Sequence, residues 1–273
     1  MKNLDFQIYL SSGSIGDWTN LAIEERIGEL KDLGVEGIEI HYPYIVTLTD
    51  LTDNSAVSPI DRLEDAGLNI SLHAPFRNIN LTARNAQLAQ LSLNEIKKAI
   101  NFASIFNMGP VVVHPGELSH RDNDPKNIWD FQISQISRVL KYGEKRGVSI
   151  VVENMANRWE QFVVSPQDMA KLIKNINLSN HGICLDLAHV GSWGRGDDFF
   201  IEPIVDYIKH IHLSNSSEEK GHLPLDRGSS NLTERSIKFL KSFPGPVVLE
   251  GDYSKKPYST LENSLDELKK VFN

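Results

Sequence analysis

Imidazoles and carboxylates recur through this chain at a near-regular interval. His73, His114, Glu153, Asp186, His212 and Glu250 stand 41, 39, 33, 26 and 38 residues apart, and His189 follows Asp186 by three. Histidine and carboxylate side chains at one location form a ligand set for a divalent metal, suiting zinc, manganese or iron. Glu153, Asp186 and Glu250 would also need such a cation, because they would otherwise repel one another in a partly desolvated site. Whether spacing in sequence becomes proximity in space depends on the elements that carry these residues.

Each of the six closes a short apolar run. "VVVHPG" (111–116) shows the form: three valines suit a strand covered on both faces, His114 sits at its lip, and Pro115 and Gly116 stop it. Such runs occur at 6–12, 37–42, 69–75, 110–116, 149–155, 182–190, 208–215 and 246–252. Between them lie segments of helical periodicity. Thr19 to Leu33 carries Leu21, Ile23, Ile27 and Leu30 and ends at Gly34; Asn85 to Phe106 carries Leu88, Leu91, Ile96, Ile100 and Phe102. Residues 130–146 end at Gly147, "SPQDMAKLIKNI" opens with a serine cap and a proline, and "LENSLDELKKVF" follows later. Strand–helix alternation implies a parallel sheet. Eight units in 273 residues match an α/β protein of the (β/α)8 barrel class, single-domain over residues 1–273. A doubly wound open sheet is the runner-up, but "SSGSIG" (11–16) lacks the GxGxxG spacing. In a barrel the C-terminal strand ends share one mouth, so the spaced residues converge there.

Composition narrows the class further. With 40% apolar and 23% charged residues the chain is ordinary globular material, and no apolar run approaches a membrane span. No basic-plus-apolar leader is visible, and the single cysteine, Cys184, excludes an internal disulfide; a cytoplasmic location is expected. A net charge of −8 argues against a generally basic nucleic-acid surface.

At these residues the chain resembles the xylose isomerase-like TIM-barrel superfamily, which includes endonuclease IV and ketose 3-epimerases. "LHAPFRNINL", "VVVHPGEL", "VVEN", "CLDLAHV", "HIHLSN" and "VLEGD" fall in that family's order and spacing. In the sugar branch, the resemblance implies one divalent ion, manganese or zinc, held by Glu153, Asp186, His212 and Glu250. Glu153 and Glu250 would also be the acid and base of an isomerase or epimerase working through an enediolate. Its substrate would be a small sugar or sugar phosphate. Glu160, in the "NRWE" segment (157–160), matches a substrate-contacting stretch of the 3-epimerases, displaced by one residue. In the endonuclease IV branch, up to three zinc ions cleave DNA beside an abasic site. That branch also uses histidines matching His73, His114, His189 and His222. It places an aspartate two residues before His222, where this chain has Lys220. A lysine would leave the third ion with His189 and His222 alone.

The isomerase reading is the first expectation, the endonuclease reading the alternative, and a metal-site binding protein without turnover the third. His73, His114, His189 and His222 would bind a further metal or the substrate. Trp193 and Arg195, in the glycine-rich "GSWGRG" loop (191–196), are candidate substrate contacts. Glu39 and His41 share strand-two parity with the pocket, with a structural or surface role expected. No membrane partner is expected, and the resemblance allows a homo-oligomer.

Overall fold

The parity of the strands decides which side chains look inward. The computed structural model describes residues 6–15, 23–42, 59–120, 125–194, 196–217, 220–229, 231–254 and 257–272. Within them run eight strands: β1 (Gln7–Ser11), β2 (Gly37–His41), β3 (Asn69–His73), β4 (Val111–Val113), β5 (Ile150–Glu153), β6 (Gly182–Asp186), β7 (Ile208–Leu213) and β8 (Pro246–Leu249). All pairings are parallel, and β1 pairs with both β2 and β8, which closes the barrel. Side chains alternate faces along a strand. Val111 and Val113 belong to the main apolar core, whereas Val112 forms a small separate cluster with Val151 and Cys184. His114, two residues after Val112, therefore shares the inner face.

Helices follow the strands, most of them around the barrel and two short ones at its mouth. They are α1 (Ser12–Ile15), α2 (Ile23–Asp32), α3 (Pro59–Asp65), α4 (Ala86–Ile105), α5 (Pro125–Arg146), α6 (Pro166–Asn175), α7 (Leu187–Trp193), α8 (Glu234–Leu240) and α9 (Pro257–Phe272). Asn85 caps α4 by accepting from the Gln87 N–H at 2.9 Å, and Ser165 with Asp168 forms a capping box on α6. Gly34 and Gly147 follow α2 and α5 with φ of 77° and 71°, a left-handed conformation that glycine adopts without strain. None of the described helices is long and apolar enough to cross a membrane.

Three expectations are corrected. The run at 182–190 is not one strand, because Asp186 Oδ1 accepts from the His189 N–H at 2.7 Å and starts α7 there. Gly191 to Trp193 accordingly end a helix, with Gly194 left-handed at its C-cap, instead of opening a loop. On α4, Leu88 and Leu91 are each 55% exposed, and the buried stripe runs through Ala89, Leu93, Ile96, Ile100 and Ala103. Small alanines let α4 lie close to the sheet, so the apolar face is rotated from the one the leucines alone suggest.

Candidate metal centre and active site

The inner faces of β2 to β8 deliver one polar side chain each to the barrel mouth. Neighbouring strands hold them in register: His41 lies opposite His73, and Asp186 opposite His212. The second pairing depends on a register shift at Ile183/Cys184, which brings Asp186 level with His212. His114 and Glu250 directly follow β4 and β8.

Glu153 is the centre of the group. Its Oε2 lies 2.9 Å from His114 Nε2 and 3.4 Å from His73 Nε2. Its Oε1 lies 3.2 Å from His212 Nδ1 and 3.4 Å from His189 Nδ1. His212 Nδ1 also stands 3.1 Å from Glu250 Oε2 and 3.8 Å from Asp186 Oδ2. Among the described residues five groups could hold an ion, each with its donor atoms within 4.8 Å of one another: Cys184–His210–His212 and Glu39–His73–His212–Glu250 below the mouth, and three that form a chain, His73–His114–Glu153, Glu153–Asp186–His212–Glu250 and Asp186–His189–His222. Glu153 joins the first to the second, and Asp186 joins the second to the third. Carboxylates with two oxygens suit such bridging positions.

The donor set fits divalent ions. His73 Nδ1 donates to the Ala74 carbonyl at 2.8 Å, and His189 Nδ1 donates to the Asn154 carbonyl at 2.9 Å. Each ring thereby keeps a lone pair on Nε2, the tautomer control common to metal-ligating histidines. Asn154 also clamps the next strand: its Oδ1 accepts from Asp186 N at 2.7 Å and its Nδ2 donates to Asp186 O at 3.1 Å. Asp186 Oδ2 is buried and accepts no hydrogen bond, and buried Glu153 Oε2 has only the ion pairs with the His114 and His73 rings. Buried oxygens of this kind require a compensating partner.

Charge points the same way. Burial alone would raise the Glu153 carboxyl, but His114 and His212 hold it well below the usual range. Burial is likewise outweighed at Glu250, chiefly by His212. Asp186 behaves oppositely: burial raises it, and the negative Glu153 and Glu250 add to that against His189 and His222. His212 is raised well above the ordinary imidazole value; burial opposes its charge, and Cys184, Glu250, Glu39 and Glu153 overcome it. The mouth thus gathers several buried anions that only imidazolium or a metal cation can balance.

Above these residues opens a cavity of about 220 Å³, bordered by His73, His114, Glu153, His189, His222 and Glu250. Arg158 and Gln161 also line it, and Phe76 lies edge-on to the His73 ring at 5.1 Å. Glu160 does not line the cavity; its carbonyl accepts from Leu118 N at 2.7 Å. Trp193 is half-buried against the apolar core and likewise does not border the cavity. Arg195 lies outside the described residues. Glu39 is fully buried inside the barrel, so it has no surface role, and His41 reaches to 3.7 Å from Glu250. Sequence reasoning passed over Arg158 and Asn154. Both flank the metal-site motif, Asn154 as the residue directly after Glu153.

Lys220 is turned away from the centre. Its Nζ pairs with Asp252 Oδ2 at 2.9 Å on the exposed side of the β7–α8 loop. Nor are His189 and His222 left alone, because Asp186 completes a three-donor set with them. Three protein ligands and an open position are the usual form of a catalytic zinc site.

Residues 27–271 match the sequence model of the xylose isomerase-like TIM barrel. The chain belongs to this family. Among its relatives is the uncharacterized protein MJ1311 of Methanocaldococcus jannaschii, 30% identical over 195 residues, a match spanning 70% of this chain and 66% of that protein, just under two thirds. A protein named "Probable endonuclease 4" from Mycoplasmopsis synoviae is 26% identical over 213 residues, covering 71% and 73% of the two chains. In fold, the chain resembles the crystal structure of a D-tagatose 3-epimerase-like protein, with a TM-score of 0.79 at 22% identity over 98% of each chain. It also resembles the IolI protein with a bound zinc atom, with a TM-score of 0.75 at 18% identity over 97% and 96% of the two chains. The names of these similar proteins point to two reaction classes, an endonuclease among the relatives in sequence and an epimerase-like protein among the neighbours in fold.

Proposed function

We propose that the protein is a divalent-metal-dependent phosphodiesterase of the endonuclease IV type, acting at abasic sites in DNA. The observation that carries this reading is the chain of three ligand sets joined through Glu153 and Asp186. A single-ion isomerase needs only the middle set. Divalent ions held there would act as Lewis acids on a phosphoryl oxygen, the role of closely spaced ions in phosphoryl transfer. The protein's own share is placement. Glu153 and Asp186 fix the spacing of the sets, and His73 and His189 are held in tautomer by backbone carbonyls. Glu250 is the more open of the carboxylates, 15% exposed against 1% for Glu153, and is the group to accept a proton from an attacking water. Arg158 offers a guanidinium at the cavity edge for a substrate phosphate.

A second reading is favoured by a different observation. Glu153 and Glu250 both border a cavity sized for one sugar ring, the arrangement an enediolate isomerase or epimerase uses for its acid and base. Metal analysis of protein purified without chelator, together with two assays, separates them. The phosphodiesterase reading expects close to three ions per chain and cleavage of a duplex carrying one abasic site, lost on chelation and restored by Zn²⁺. One ion, no cleavage, and solvent-hydrogen exchange into ketoses or sugar phosphates would replace it with the isomerase reading.

A further inference from the structure

One level below the mouth, the barrel interior holds a second polar layer for which the reaction has no direct use. Glu39 on β2, Ser71 on β3 and His210 on β7 are each 0% exposed. Barrel interiors are ordinarily filled by branched apolar side chains, and a carboxylate there is unfavourable unless it is paired. Glu39 is paired twice. Its Oε2 accepts from His210 Nε2 at 2.7 Å and from Ser71 Oγ at 3.3 Å. Its Oε1 stands 3.0 Å from His212 Nε2. We propose that Glu39 is a positioning residue for the metal centre: it keeps the proton of His212 on Nε2, so that Nδ1 offers its lone pair to the ion held with Glu153, Asp186 and Glu250. This rests on the reading of that set as an ion site.

The two faces of the His212 ring carry the argument. Nδ1 looks toward Glu153, Glu250 and Asp186 at 3.2, 3.1 and 3.8 Å. A nitrogen that binds a cation must be unprotonated, so the proton of the neutral ring belongs on Nε2 and needs an acceptor there. His73 and His189 solve the same problem with backbone carbonyls. At His212 the candidate acceptor is a side chain from β2: Glu39 Oε1 and His212 Nε2 face each other at 3.0 Å, and neither buried atom makes a hydrogen bond elsewhere. His210 and Ser71 then serve Glu39. They occupy Oε2 and leave Oε1 for His212, and the register that sets Glu39 opposite Ser71 fixes both. Outer partners of this kind typically carry about 10–100-fold in metal affinity.

Glutamine at position 39 keeps the shape but brings an amide that can donate to Nε2, favouring the tautomer that cannot ligate. The test is a chelator-competition titration of Zn²⁺ into metal-free full-length wild-type and Glu39→Gln protein, alongside ¹⁵N shifts of the His212 ring. Expected are a weakening of about 10–100-fold at one site and a proton moved to Nδ1, in a protein that still melts cooperatively. Glu39→Asp, which retracts the carboxylate by one methylene, is expected to fall between the two, and it carries the test should Glu39→Gln fail to fold. Ser71→Ala removes a bond to Glu39 without touching His212 and is expected to change affinity little. Unchanged affinity and tautomer in Glu39→Gln would overturn the proposal. So would clean loss of one ion with the others unaffected, since Glu39 would then be a ligand itself. A wild-type protein that binds no divalent ion would instead sink the metal-centre reading.

Discussion

The two flanks of Glu153 are built differently, although both are made of histidine and carboxylate. On one side, His73 is 2% exposed, ends β3, and has its Nδ1 tied to its own strand's next carbonyl. On the other, His222 lies in the β7–α8 loop with a side chain 40% exposed, a φ of 54°, and Ser214 Oγ 3.2 Å from its Nδ1. Strand pairing sets the first flank, so it exists as soon as the barrel closes. The second is set by the loop, whose shape rests on bonds between Asn215 and Leu223 and between Ser216 and Ser229. The first flank is therefore preorganised by the fold, and the second by a local structure that can be damaged on its own.

The sharpest way to break both flanks together is Glu153→Gln. The change keeps the volume of a residue only 1% exposed, but it removes the anion that joins the first set to the second. Loss of more than one ion per chain is expected, with activity down by more than the ~100-fold that outer-partner changes produce. Elemental analysis and turnover of whichever substrate class is active would check it. Loss of a single ion would show that the sets are independent and that Glu153 is no bridge.

This difference between flanks also explains what the sequence disclosed. The barrel was readable because eight apolar runs alternate with helical segments, and strand parity carries "VVVH" into an inner Val112 and an inner His114. The residues at strand ends were readable for the same reason. Of the third set, His189 and His222 were readable but their completion by Asp186 was not, because it depends on a register shift in β6 and on where a loop places His222. Local spacing also misplaced Lys220, whose side chain pairs outward with Asp252. Glu39 was visible as a strand residue of inner parity, but nothing in its neighbourhood in sequence names a partner 171 residues away.

Gly228→Ala separates the flanks. Gly228 holds φ of +72°, and a Cβ there would stand 2.6 Å from the Ser216 carbonyl oxygen and 2.7 Å from Leu223 Cδ1. The left-handed conformation alone disfavours alanine by roughly 1–2 kcal/mol. A fall in thermal midpoint of about 2–8 °C is therefore expected, with weaker binding of the ion nearest His222 and unchanged binding at His73–His114–Glu153. Stepwise zinc titration would show one transition shifted and the others in place. Uniform weakening of every site would mean that the loop and the strand ends form a single cooperative unit, and the contrast between the flanks would fail.

Lys220→Asp tests the loop flank in the favourable direction. The exposed Lys220–Asp252 pair, with side chains 57% and 45% accessible, contributes only ~0–1 kcal/mol, so removing it should leave the fold intact. Position 220 is two residues before His222, and its backbone is already anchored by the Ser217 N–H to Lys220 carbonyl bond at 2.7 Å. A carboxylate there can turn inward to meet Asp186, His189 and His222 and give that set a fourth protein donor. Tightening of about tenfold at this site is expected, ~1.4 kcal/mol, with the first set unaffected. If affinity does not rise, the loop anchors the residue too far out to reach, and the third ion relies on Asp186 as the carboxylate it shares with the centre.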